Sequence, residues 1–236
     1  MPTYQYPYPD PELAASHPFV EHRTVRLADT DMRARADDFY ALMDARRSVR
    51  MFDDAPVPRS LIETAIRTAS TAPSGAHMQP WTFVAISAPA LKTRIREAAE
   101  EEERTNYLEN RMNDEWQEAL APLGTDHHKE FLEIAPWLVV LFERRFGEKD
   151  DGSKRTHYYV KESVGMAAGM FVTAIHQMGL TTLPHTPSPM VFLRTLLERP
   201  DSERPFVMFP VGHALPGVQV PDLHRRPLDD LAVFLD

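Results

Sequence analysis

The stretch from Tyr159 to Met178 is apolar on nearly every side of a helix, so the fold must cover most of its surface. Lys161, Glu162 and His176 lie inside it, which argues against a membrane span. It reads instead as a helix central to a domain or at a subunit interface. Gly165 and Gly169 permit close packing along one side, and Gly179 reads as its C-terminal cap. Other elements follow from pattern. Pro58 opens a helix to about Ala69 with Leu61, Ile62, Ala65 and Ile66 on one face, closed off by Pro73. Apolar residues at helical spacing (Phe39, Leu42, Met43) mark a helix within 31–45. The segments Trp81–Ile86, Trp137–Glu143, Thr181–Thr186 and Phe206–His213 read as strands, and Phe192–Leu197 as a short helix.

With 236 residues the chain can bury one substantial core. We expect an irregular arm over 1–30 and a single domain over 31–236, with no internal repeat and no linker. Within that domain, 89–130 is a very polar helical stretch broken by Pro122 and Gly124. Few of its apolar residues recur on one face, so it reads as a mobile lid over an active site. The tail, 214–236, is Pro-broken and extended until a final turn.

Composition removes several classes of function. Cysteine is absent, so no disulfide, thiolate nucleophile or Cys-based metal site is available, and any reductive chemistry falls to a redox cofactor. The 26 basic against 35 acidic residues give a net charge of −9, which opposes nucleic-acid binding. The longest apolar run, Ala135–Phe142, is too short to cross a bilayer, and the N-terminus has no basic start or apolar signal core. The expectation is a cytoplasmic protein. His127-His128 does not suggest a metal, since adjacent helical side chains point apart and no third ligand is placed. A Gly-x-Gly-x-x-Gly dinucleotide fingerprint is also missing.

Two segments stand out against this acidic background. Arg46-Arg47-Ser48-Val49-Arg50 packs three guanidiniums and a hydroxyl into five residues, suited to a small phosphate; the bland alternative is a solvated helix end. Ala72-Pro73-Ser74-Gly75-Ala76-His77 is a rigid loop of small residues that lets a flat ligand approach the main chain. A phosphate clamp followed by such a loop suits a mononucleotide. Arg225 offers another donor from far along the chain, unless it pairs with Asp222 or Asp229. Glu103 and Tyr107, four apart, share a helical face, and Lys129 follows later. A carboxylate, a phenol and an ammonium complement a zwitterion, although Glu103 also belongs to the acidic run Glu100–Glu103, which would ordinarily be a solvated face.

In this order the two segments resemble the nitroreductase-like flavoproteins, and more closely the iodotyrosine deiodinases. The resemblance continues through Pro80-Trp81-Thr82-Phe83, Glu101–Glu103, Asn106-Tyr107, Lys129-Glu130, His157-Tyr158-Tyr159, Thr186-Pro187, Pro210-Val211-Gly212 and Val220-Pro221-Asp222-Leu223, from about residue 38 to the C-terminus. It implies an α+β nitroreductase-like three-layer α-β-α fold with a central mixed sheet, and a homodimer with extended terminal arms and two active sites at its interface. FMN is the implied cofactor, held by Arg46, Arg47, Ser48, Arg50, Pro73, Ser74, Gly75 and Arg225, with the Thr186 hydroxyl donating to the flavin N5 and so favouring one-electron steps. Glu103 would take the ammonium of a halotyrosine, Tyr107 and Lys129 its carboxylate, and the amide of Ala76 its phenolate. The implied reaction is FMN-dependent reductive dehalogenation, fed by an unidentified electron donor. A general nitroreductase or quinone reductase, or a non-catalytic flavin- or halotyrosine-binding protein, are the competing readings. The chain departs from the animal pattern at Pro184 and His185, where threonines are usual.

Overall fold

The computed structural model describes residues 8–108 and 114–235, with the backbone alone at Asn106 and Leu108. The first seven residues of the expected arm, 109–113 of the expected lid and Asp236 of the tail lie outside the described residues. The chain divides into two units between Ala41 and Leu42. In the first, the short helix α1 (Pro11–Ser16) interrupts the expected irregular arm; the Asp10 carboxylate caps it, accepting from the Leu13 amide at 2.8 Å. Helix α2 (Asp29–Asp44) begins in this unit and ends in the second.

The second unit runs α3 (Arg59–Ser70), β1 (Trp81–Ile86), α4 (Pro89–Leu108), α5 (Asp114–Leu120), α6 (Phe131–Ile134), β2 (Trp137–Arg144), β3 (Phe146–Glu148), β4 (Lys154–Thr156), α7 (Val160–Gln177), β5 (Thr181–Thr182), α8 (Val191–Leu196) and β6 (Glu203–Gly212). Its main sheet has the order β1-β2-β6-β5. The expected mixed sheet is corrected here: every neighbouring pair among the described residues is antiparallel. Strands β1 and β6 run the same way, but β2 lies between them, so no parallel ladder forms.

Strand β2 explains the layering. Successive strand residues point to opposite faces, and Leu138 through Phe142 are all at 0% exposure. Val139 and Leu141 enter one core with Val207, Phe209 and Val211 of β6, Ile62 and Ala65 of α3, and Val164, Phe171 and Ile175 of α7. Leu138, Val140 and Phe142 enter the other with Met208, Ile95 and Ala99 of α4, Leu132 and Leu193. The fold is therefore a three-layer α-β-α arrangement, as the resemblance implies. No helix of the described residues is long and apolar enough to cross a membrane.

Three expectations change. First, α4 does have a packed face: Leu91, Ile95 and Ala99 are spaced by four, and the last two are fully buried. Second, the strand expected over Thr181–Thr186 stops at Thr182, leaving a single bridge from His185 to Met208. Pro184 has no N–H for a ladder, so the chain peels away from the sheet there. Third, α7 is covered on one side only. Val164, Ala167, Phe171, Ala174 and Ile175 are buried, whereas Gly165, Met166 and Gly169 are exposed.

Phe171 sits at 0% exposure with ring centroids 5.8 Å from Phe83 and 5.1 Å from Phe209. Phe171→Ala removes the ring that joins α7 to β1 and β6. We expect it to lower the unfolding free energy by about 3–5 kcal/mol in chemical denaturation; a loss below about 1 kcal/mol contradicts this account of the core.

Candidate active site

At the end of α2 the chain turns, the Arg46 amide donating to the Met43 carbonyl at 3.2 Å. The C-terminal tail returns to this corner. Arg225 donates to the Asp44 carboxylate at 2.7 Å and to the Arg46 carbonyl at 3.1 Å, and Arg47 donates to the Pro221 carbonyl. Asp44, rather than Asp222 or Asp229, is thus the partner of Arg225. Between the two segments lies a cavity of about 250 Å³ whose lining includes Arg46, Arg47, Ser48, Arg50 and Arg225. Burial, and then the neighbouring charges of Arg225 and Arg47, hold Arg46 below its ordinary value. Four guanidiniums at one corner repel one another, and a phosphate dianion is the kind of group that relieves the repulsion.

Arg46 and Ser48 also border a second cavity, of about 620 Å³, walled by Ala168 and Val172 of α7 and by Phe206 and Phe209 of β6. Pro184 and Thr186 also line it. A basic cavity next to an apolar shelf that a hydroxyl borders suits the groups of FMN: a phosphate on a ribityl chain, and a flat ring system that carries a hydrogen-bonding nitrogen. The residues present fit that cofactor.

Thr186 further belongs to a third cavity, of about 220 Å³, with Arg50, Glu103, Tyr107, Trp116, Lys129 and His185 in its wall. Helix α4 carries Glu103 and Tyr107 on one face, as their spacing predicts. Lys129 is only 1% exposed. Its ammonium lies 3.5 Å from the Glu103 carboxylate and 5.5 Å from the centre of the Tyr107 ring, and it donates to the Asp126 carbonyl. Burial lowers Lys129 and raises Glu103 from their ordinary values, each partly opposed by the other's charge. Tyr107 is likewise raised by burial, against a hydrogen bond with Thr125.

The two clusters read from sequence are therefore assembled, one in each polar cavity, with Arg50 common to both and Thr186 at the junction with the shelf. The loop of Pro73, Ser74, Gly75 and Ala76 lines none of the three. It packs instead on the start of α7. The Gly75 amide donates to the Ser163 hydroxyl at 3.2 Å, and a Cβ on Gly75 would meet the Tyr158 carbonyl at 2.7 Å. Ala76 takes a left-handed φ of 48° there. Sequence reasoning missed His185 as a site residue. Its only signal was the departure from threonine at that position.

A Nitroreductase family model matches residues 43–213. The chain is 50% identical over 217 residues to an iodotyrosine deiodinase of Haliscomenobacter hydrossis, covering 92% of this chain and 96% of that one. It is 40% identical over 230 residues to an iodotyrosine deiodinase of Hydra vulgaris, covering 97% and 84% respectively. A crystal structure of oxidized iodotyrosine deiodinase bound to FMN and 3-iodo-L-tyrosine superimposes with a TM-score of 0.71 at 27% identity, over 84% of this chain and 97% of that one.

Burial, with Lys129 and Arg50 adding to it, pushes His185 down to about 3. A base with a depressed folded value binds its proton more readily in the unfolded chain. Stability therefore falls as pH drops from about 6.5 toward 3, by roughly 1.4 kcal/mol per pH unit for this residue. His185→Leu should flatten the acid limb of stability against pH by about one proton between pH 4 and 6, measured by denaturation at each pH. An unchanged slope counts against a buried neutral imidazole.

Proposed function

The chain belongs to the nitroreductase family, and from this membership we propose how its own residues serve a flavin-dependent reduction. It is an FMN-dependent oxidoreductase that deiodinates halotyrosines reductively. When bound, FMN supplies the electrons. In our reading, Arg46, Arg47, Ser48, Arg50 and Arg225 hold its phosphate and ribityl chain at the basic corner, the shelf between α7 and β6 receives the ring system, and Thr186 donates to N5.

Beyond Thr186, Glu103 accepts the ammonium of the amino acid, while Lys129 and Tyr107 hold its carboxylate. The observation that carries this assignment is the burial of Glu103 and Lys129 together in the cavity that Thr186 borders. A zwitterion replaces the incomplete pair with two complete ones, and the same groups exclude water from the reacting ring. A nitroarene or quinone has no use for such a clamp.

Pro73, Ser74, Gly75 and Ala76 complete the site from a second copy of the chain, Ala76 offering its amide to the phenolate. This rests on their absence from all three cavities of their own chain and on the exposed side of α7 at Gly165, Met166 and Gly169. Backbone donors held by Pro73 and Gly75 are preorganised for developing negative charge. The reductant that recharges the flavin is a separate partner, and we place the enzyme in the cytoplasm.

Three measurements follow. Anaerobically reduced holoenzyme mixed with 3-iodotyrosine should reoxidise with stoichiometric release of iodide; protein that takes up no flavin, or reoxidises without iodide, overturns the reading. Arg47→Ala should weaken FMN about tenfold to a hundredfold, the value of one charge-assisted phosphate contact of roughly 1.5–3 kcal/mol; unchanged affinity in a fluorescence titration removes Arg47 from the site. Thr186→Ala should bind FMN and halotyrosine nearly as before and deiodinate more slowly, while reducing a nitroarene at least as fast, because one neutral hydrogen bond is worth about 0.5–1.5 kcal/mol. Equal slowing of both reactions contradicts a role specific to one-electron steps.

A further inference from the structure

Among the described residues, the Nε2 of His185 is the buried side-chain polar atom left without a hydrogen-bond partner. Native interiors rarely tolerate such an atom without a reason. The backbone cannot move to relieve it: the His185 amide donates to the Met208 carbonyl at 2.8 Å, and its carbonyl accepts from the Met208 amide at 2.9 Å. The ring stands edge-on to Phe131, with centroids 5.6 Å apart, in the wall of the cavity that holds Arg50 and Lys129. His185 is 9% exposed, so bulk water does not satisfy it.

We propose that His185 is a specificity-determining residue of this cavity, an uncharged donor that hydrogen-bonds the carboxylate of the bound amino acid. The inference rests on the reading of the cavity as a halotyrosine site and adds to the carboxylate subsite a group that the zwitterion clamp does not include. Lys129 attracts a carboxylate as a point charge with little direction, and Arg50 is assigned to the phosphate corner. A neutral imidazole always carries one N–H and one lone pair, and it supplies direction without a third positive charge. Nε2 itself is closed off from the cavity, so the contact requires the ring to turn about the Cβ–Cγ bond while the backbone stays pinned to β6. In the free protein the ring is held at a cost in stability, which the ligand repays on binding.

The same residue therefore lowers stability and raises affinity, and the two effects are separable. His185→Leu and His185→Gln, prepared as FMN holoenzyme, would be compared with the parent at pH 7 for binding of 3-iodotyrosine and of 3-iodotyramine, which lacks the carboxylate. The apoproteins would be compared by denaturation. We expect His185→Leu to raise the unfolding midpoint, to weaken 3-iodotyrosine about tenfold, and to leave 3-iodotyramine and FMN within about twofold. The Gln variant, which keeps an N–H donor, should recover most of the loss. Equal affinity of parent and Leu variant for 3-iodotyrosine overturns the proposal, as does an equal loss for both ligands, which would make the ring a matter of cavity shape. If the parent itself binds FMN but not 3-iodotyrosine, the halotyrosine reading fails first and this inference falls with it. If the parent binds both and the Leu variant does the same, only the inference fails.

Discussion

The burial of β2 on both faces is the constraint from which the rest of the arrangement follows. Leu138 to Phe142 leave no side chain in water, so their alternation must fill two cores, and each core must be roofed by helices. Helices α3 and α7 cover one face, α4, α6 and α8 the other. Hydrogen bonds outside the ladder fix the strand ends: the Trp137 indole donates to the Val57 carbonyl at 2.8 Å, and the Arg144 amide to the Pro80 carbonyl at 2.8 Å. Strand β6 is registered on β2, and through Met208 it registers His185 in turn. The segment carrying Pro184, Thr186 and Ser188 is therefore placed by sheet pairing rather than by loop preference. That placement sets Thr186 at the border of both the apolar shelf and the polar cavity, which the proposed reading requires of it.

Local pattern made some of this legible in the sequence, and long-range pairing hid the rest. Helix α3 could be read because Leu61, Ile62, Ala65 and Ile66 form a dense stripe behind a proline. The face that Glu103 and Tyr107 share could be read because a helix puts residues four apart side by side. Helix α4 was read only in outline, since its buried stripe rests on Leu91, Ile95 and a small alanine amid charged neighbours. The β3–β4 hairpin escaped because Phe146-Gly147-Glu148 and Lys154-Arg155-Thr156 show no alternation; β4 is wholly exposed. The Arg225–Asp44 pair spans 181 positions, and nothing local distinguishes Asp44 from Asp222 or Asp229. The separation of 73–76 from the cavities has the same origin. Spacing says what a loop can do, not which cavity of the fold it will line.

The buried charges among the described residues differ in how fully their neighbours satisfy them. Lys92, 6% exposed, donates to the Glu133 carbonyl at 2.8 Å and the Ala135 carbonyl at 2.7 Å, closing the end of α6. Glu203, 4% exposed, accepts from Arg199 at 2.7 Å and from the Thr82 hydroxyl at 2.7 Å. Burial alone would raise Glu203, but those partners outweigh it and hold the carboxyl below its usual range. These two charges are satisfied, and their role ends with the fold. Lys129 (2% side-chain exposure) and Glu103 (13%) meet at 3.5 Å, longer than a charge-assisted hydrogen bond, while Lys129 also donates to the Asp126 carbonyl and to the Thr125 hydroxyl; burial drives both toward their neutral forms. The loose Lys129–Glu103 pair beside Thr186 and the mutual repulsion around Arg46 are the two places in the site where a partner of opposite charge would be stabilised. In the reading proposed above, a substrate zwitterion would meet the first and a cofactor phosphate the second, which would make binding energy available where the reacting ring is held.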